Sequence, residues 1–439
     1  MALQNDLTQG NVDSHILRFS LPLLLSNFLQ ALYNAVDMYF VGRYLGTEGL
    51  CAVSVSGPVM NVLFMTIAGL STGVSIAIGS HAGRNDQDRI LNCAGSAISV
   101  YAVCALVVSV LGLLLTPAIL TLISTPPEAY QMAVDYLSII FTGMTFTLGY
   151  NLICAFQRGF GDSRSSLLFV LIATGTNVLL DIFFIRDLQL GVKGAAMATV
   201  ISQALSFILG ISYFRIKKHI LSFHPRAWRW HKESLKELLA IGLPSALQQA
   251  SLHISHLTLN GIVNTYGLVY STAYGIGVKL DSFAILPCNA LNDAVAAFTS
   301  QNLGAKNEER ALLSMKSARR MALMINAVIT LCIILFADRL AGLFNQDPAV
   351  IDVASRYLHI TCVMYILYAM VHPTIGFVKG SGNSLFTLTN GLQAQYIVRI
   401  PAALLFSKVF GLGFIGVAIA WIMAPLYSNF TYAYFVKSG

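Results

Sequence analysis

The sequence predicts an all-α integral membrane protein: twelve transmembrane helices in two six-helix bundles, related by a pseudo-twofold axis along the membrane normal. Three observations carry that prediction. Of 439 residues, 56% are hydrophobic and 11% charged, against about 25% charged in an ordinary soluble domain, so a soluble fold of this composition could not cover its surface. Apolar runs of about 20 residues, the length that a hydrocarbon core of about 30 Å demands of a helix, recur between short polar breaks. The second half of the chain also repeats the first at a nearly constant spacing.

The runs fall at 16–41, 49–80, 91–115, 131–156, 164–186, 191–214, 237–265, 268–302, 318–337, 354–378, 384–408 and 411–436. The second and eighth are long enough to tilt or kink, with Pro58 and Pro287 as the candidate kink sites. The alternation of an outer-membrane barrel is absent. The first fourteen residues, MALQNDLTQGNVDS, lack the basic segment and cleavage site of a signal peptide, so the first run is expected to stay as a span. Seven cysteines, Cys51, Cys93, Cys104, Cys154, Cys288, Cys332 and Cys362, stand singly with no CxxC pair; they read as packing residues.

The net charge of +7 needs no nucleic-acid partner, because basic residues gather in cytoplasmic loops. With the N-terminus inside, inner loops and the C-terminal tail hold eighteen Lys and Arg and the outer loops six. Both termini are therefore expected in the cytoplasm of a multi-pass plasma (inner) membrane protein. The longest break carries the run RIKKH, which divides the chain into an N-lobe (1–214), a basic cytoplasmic linker (215–236) and a C-lobe (237–439). The repeat supports the division. RGFGDS at Arg158–Ser163 matches KGSGNS at Lys379–Ser384, and Tyr136-Leu137 matches Tyr357-Leu358, at a shift of 221; GVKGAA from Gly191 matches GFIGVA from Gly413, and Pro22 matches Pro244, at 222. Six spans per repeat give both copies the same orientation, and such a pair can rock about a central cavity. No GxxxxGK[ST] phosphate loop is present, so energy must come from an ion or substrate gradient.

Acids inside spans are expensive and mark functional candidates. Four lie well inside: Asp37, Asp181, Asp281 and Asp293. By helical rise, Asp37 and Asp181 sit roughly 6–8 Å below the outer boundary. Asn177 is one turn beneath Asp181, and Thr199 reaches the depth of Asn177. Two carboxylates, an amide and a hydroxyl at one level suit a proton or a hard cation such as sodium; a hydrogen-bonded packing network is the bland alternative. On the same face as Asp37, Tyr33 at i−4 with Gln30 and Asn34 could hold a lipophilic cation, or serve only interhelical bonding. Phe28, Met60, Phe64 and Met65 read as packing.

The pattern VDMYFVGRYLG around Asp37, the repeated R/KGxGxS turns, the Asn177-to-Asp181 spacing and the paired halves resemble the multidrug and toxic compound extrusion (MATE) family over nearly the whole chain. The resemblance implies a cation-coupled antiporter, driven by H+ or Na+, that expels organic, often cationic amphiphilic, small molecules by alternating access of two lobes. It is expected to function as a monomer, with no cofactor and no catalytic centre. The family's N-lobe cation residues carry over onto Asp37, Asn177, Asp181 and Thr199. One departure stands out: some members carry an acid in the seventh helix, where this chain offers Gln248, Gln249, His253 and His256. The two histidines lack an HExxH motif or a nearby acid and read as buried packing residues. Lys279, Asp281 and Arg399 are expected to neutralise one another in the C-lobe, where with His253 they are candidates for gating or binding. Two other readings remain at this level: a lipid-linked oligosaccharide flippase, whose cavity would need several cationic residues, and an intramembrane metalloenzyme built on His253 and His256.

Overall fold

A computed structural model of the chain describes residues 6–217, 221 and 230–438; residues 218–220 and 222–229, most of the expected basic linker, lie outside the described residues. The described chain is helical: α1 Val12–Gly83, α2 Gln87–Leu122, α3 Pro127–Thr142, α4 Met144–Gly159, α5 Ser163–Asp181, α6 Val192–Ile216, α7 Lys232–Asn264, α8 Leu268–Gly304, α9 Glu308–Gly342, α10 Pro348–Gly380, α11 Ser384–Leu392, α12 Ile400–Leu404 and α13 Phe414–Ser438. Wider π-helical stretches follow α5 at Ile182–Asp187, α11 at Gln393–Arg399 and α12 at Leu405–Val409.

These elements resolve into twelve spans. α1 holds two of them, parted at Gly46, whose φ of 66° and ψ of −158° interrupt the helix. α3 and α4 form one span bent by 51° at Gly143, and α11, α12 and their π stretches form another. Large apolar side chains such as Leu106 (67%), Leu114 (71%) and Phe430 (71%) stand exposed along the helices. Lipid is the solvent such surfaces require. At Pro58, a candidate kink site, α1 continues with helical backbone dihedrals. The interruption falls at Gly46 because that φ/ψ region is essentially closed to residues with a Cβ.

A Cβ at Gly46 would meet nothing within 4 Å, so the backbone dihedral alone resists substitution. Gly46→Ala should therefore lose about 1–3 kcal/mol. Gly57→Ala, where a Cβ also meets nothing within 4 Å but the backbone is helical, should gain about 0.5–1 kcal/mol. The fraction of monodisperse protein surviving a heating series reads both, and equal survival of the two variants would contradict the dihedral argument.

The chain groups into two compact units. One contains Leu25–Leu243; the other joins Leu7–Leu24 to Pro244–Gly439. The chain thus crosses from one unit to the other inside α1 and again inside α7, near Pro22 and Pro244, which the repeat aligns. In the second unit, Phe19 and Leu23 bury against Ala290, Ala294 and Ala297 of α8, and the Arg310 guanidinium donates to the carbonyls of Leu7 (3.1 Å), Gln9 (2.6 Å) and Gly10 (2.7 Å). In the first unit, Leu238 at the start of α7 joins the core, and the backbone of Gly242 lies against Gly73 of α1.

The repeat is written in the backbone as well. Positions of positive φ recur in pairs: Gly46 with Gly267, Asn85 with Lys306, and Gly161 with Gly382 at a shift of 221, then Gln189 with Gly411 and Gly191 with Gly413 at 222. Asp86 and Asn307, again 221 apart, cap α2 and α9 by accepting from the backbone N–H three residues on. The step from 221 to 222 has a physical cause. The π stretch Ile182–Asp187 recurs as Leu405–Val409, but Gln393–Arg399 has no counterpart among the first unit's described residues. A π turn accommodates one residue more than the α-helix it interrupts.

Candidate functional site

Within the first unit, α1, α5 and α6 bring the four expected ion-site residues together, all buried: Asp37 (7% exposed), Asn177 (1%), Asp181 (0%) and Thr199 (5%). Asn177 and Asp181 share a face because they are one turn apart on α5. With its amide oriented to satisfy both neighbours, Asn177 donates to Asp181 Oδ2 (3.1 Å) and accepts from the Thr199 backbone N–H (3.3 Å). The Thr199 hydroxyl is 2.9 Å from the Tyr33 hydroxyl, which ties α1 to α6. Asp181 is the last α-helical residue before the π stretch Ile182–Asp187, a backbone irregularity common at functional sites.

One oxygen of each carboxylate, Asp37 Oδ1 and Asp181 Oδ1, is buried with no hydrogen-bond partner. Neither acid joins an ion pair among the described residues. The two carboxyl groups nonetheless lie near each other, and Tyr136 lies near both. Two buried acids with spare acceptor capacity and no cationic neighbour are costly when ionised, and a proton or a hard cation removes that cost. Tyr136 is the site neighbour that the sequence flagged only as a repeat marker. Its signal was the recurrence of the pair Tyr-Leu at Tyr357-Leu358, since Tyr357 also turns out to face a buried acid.

Of the residues expected to meet substrate, Tyr33 is half-buried on the ion site, whereas Gln30 and Asn34 are exposed. Asp293 is also exposed, and accepts from the Asn292 side chain (3.4 Å).

In the second unit the expected neutralisation among Lys279, Asp281 and Arg399 does not form. Asp281 is buried and accepts from Tyr357 (3.0 Å) and from Tyr365 of α10. Lys279 is exposed, with its ammonium 5.8 Å from the Phe344 ring. Residues two apart on a helix point to different sides, so Lys279 and Asp281 could not converge. Arg399 is buried on Trp421. His253 and His256 have ring centroids 6.0 Å apart, and His256 packs on Trp421 at 4.9 Å. No group of three or more His, Cys, Asp or Glu suited to a metal ion occurs among the described residues.

Comparison with known proteins gives a consistent result. The family profile described as MatE matches residues 22–183 and 244–422. A probable multidrug resistance protein, YoeA of Bacillus subtilis, is 30% identical over 414 residues, 93% of this chain and 89% of its own. The multidrug export protein MepA of Staphylococcus haemolyticus is 26% identical over 92% of this chain and 89% of its own. Among solved structures, MATE in complex with MaD3S superposes with a TM-score of 0.93 at 25% identity, covering 99% of this chain and 98% of that one. The outward-facing conformation of a multidrug resistance MATE family transporter of the MOP superfamily gives 0.92 at 26%, covering 98% and 96%.

Proposed function

The chain belongs to the MatE family, and from that premise we propose that it is a secondary active exporter of small, cationic amphiphilic compounds, in which Asp37, Asn177, Asp181 and Thr199 hold the coupling ion. Relatives named for multidrug resistance and export support the export of small drug-like molecules. The observation that carries the ion site is the pair of buried carboxylates, each with an unpartnered oxygen and neither with a cationic partner among the described residues. In this reading the protein is a plasma-membrane monomer with both termini in the cytoplasm. Gln30, Tyr33 and Asn34 line the substrate path beside the acids, and His253, Lys279, Asp281 and Arg399 belong to the other unit's part in binding or gating.

Competition gives the mechanism. Two neighbouring carboxylates titrate as a unit. An organic cation favours the site when it is ionised, and a proton or sodium ion entering from outside discharges it. If the ion-loaded and substrate-loaded forms open to opposite sides, exclusion becomes antiport. Each tenfold difference in substrate affinity between the two ion states supplies about 1.4 kcal/mol of coupling.

The test is binding of a permanently charged fluorescent cation to purified protein. Its affinity should fall at least about tenfold between roughly pH 8 and pH 6, or on addition of sodium at fixed pH, and Asp37→Asn should flatten the response. Affinity indifferent to both protons and sodium would overturn the competitive scheme. The flippase reading predicts instead that a diphosphate-bearing lipid binds and the cation does not.

A further inference from the structure

The second unit buries a charge that the coupling scheme does not use. Arg399 is 1% exposed and ranks among the largest fully buried side chains of the protein. Its Nη2 donates to the Tyr368 hydroxyl (3.2 Å), and its guanidinium carbon lies 4.4 Å from the centroid of the Trp421 ring. Nε and Nη1 have no hydrogen-bond partner. No carboxylate pairs with Arg399 among the described residues; Asp281, the buried acid of the same unit, gives both its oxygens to Tyr357 and Tyr365. A guanidinium cannot shed its charge by losing a proton. The stack on Trp421 and one neutral hydroxyl return only part of the hydration it has given up.

The repeat adds an independent observation. Beyond the π stretch that ends at Arg399, the backbone register of the two halves is fixed at 222 by Gln189 with Gly411 and Gly191 with Gly413. That shift sets Arg399 opposite Asn177 and Trp421 opposite Thr199. The positions that supply an amide and a hydroxyl to the acidic cluster of the first unit therefore carry, in the second, a fixed cation and the ring beneath it. Asp181 itself falls opposite Ala403, and Asp37, at the shift of 221 set by Gly46 with Gly267, opposite Thr258, so the equivalent of the cation site has lost its acids and gained a guanidinium.

We propose that Arg399 is a recognition site for an oxyanion, a carboxylate or phosphate group borne by a compound the protein binds, with Trp421 as its platform and Tyr368 as a second donor. The Tyr368 oxygen accepts from Nη2, which leaves its own hydrogen for the anion. Nε and Nη1 are enclosed, so the anion reaches them as Tyr368 or Trp421 swings aside. That is the behaviour of a site that closes over its ligand. The binding needs no gradient and does not depend on the acids of the first unit.

Trp421 stacks on the guanidinium and is one of three tryptophans in the chain, so Trp228→Phe and Trp230→Phe make it the sole reporter. With chloride and ionic strength held constant, benzoate or inorganic phosphate titrated into the purified protein should change Trp421 emission saturably. Saturation by benzoate alone assigns a carboxylate, by phosphate alone a phosphate group, and by both a general oxyanion site. Arg399→Gln should abolish the response, and Arg399→Lys should weaken half-saturation roughly tenfold through loss of the planar fork. No saturable response to either probe, or an equal response in Arg399→Gln, overturns the proposal. Where Arg399→Gln does not fold, an unchanged half-saturation in Arg399→Lys overturns it.

Discussion

Asp181→Asn should cut gradient-driven efflux at least about tenfold, to near the level of vesicles without the protein, while leaving the amount of folded protein unchanged or raised. The variant keeps the volume of the side chain and an oxygen to accept from Asn177, whose amide lies 3.1 Å from Oδ2. It loses the charge, and with it both the proton-binding group and the attraction for a hard cation. Because the acid is fully buried with one oxygen unpartnered, removing its ionised form relieves a desolvation cost rather than opening a defect. Asp37→Asn should behave alike. Tyr33→Phe, which removes a single hydroxyl contact with Thr199, should be milder, about 0.5–1.5 kcal/mol of cluster stability. Everted vesicles given an imposed pH or sodium gradient and a fluorescent cation measure all three. Normal coupled efflux by well-folded Asp181→Asn would remove Asp181 from the coupling site.

The second large effect concerns the packing of α1 against the start of α7. A Cβ added at Gly73 would stand 2.7 Å from the Cα and the N of Gly242 and 2.8 Å from the Leu238 carbonyl oxygen. All three are backbone atoms, so no side chain can rotate away. Gly73→Val should force the helices apart and break the core contact of Leu238 with its neighbours, at about 1–3 kcal/mol or more. That is a large share of the roughly 5–15 kcal/mol by which proteins are stable. The expected outcome is little or no monodisperse protein after gentle heating, with Gly73→Ala between it and the parent. Wild-type heat survival of Gly73→Val would show that the contact yields.

Much of this was legible in the sequence because a bilayer imposes a strict length and polarity on every span. The twelve apolar runs correspond to the twelve helical spans, and helical rise and one-turn spacing set Asp37, Asn177, Asp181 and Thr199 near one level, residues that the structure buries close together. Features set by tertiary packing were not legible. The bend at Gly143 sits in a run with no proline to mark it, whereas Pro58, the visible candidate, keeps helical backbone dihedrals. The tyrosines that satisfy Asp281 come from α10, at a sequence distance of 76 and 84 residues, and no local pattern names them. The isolation of Arg399 from Asp281 and Lys279 likewise depends on where side chains point, which charge counting along spans does not register.

The two crossings, inside α1 and inside α7, have a consequence for how the gene can be divided. The natural place to cut the polypeptide is between Leu221 and Trp230, where the two homologous halves meet. A fragment ending there carries Leu7–Leu24, which belongs to the other unit, and lacks Lys232–Leu243, which belongs to its own. The complementary fragment has the mirror-image deficit. Neither half-gene therefore encodes one of the two compact units whole, and each fragment carries a helical segment that packs with the unit the other fragment encodes.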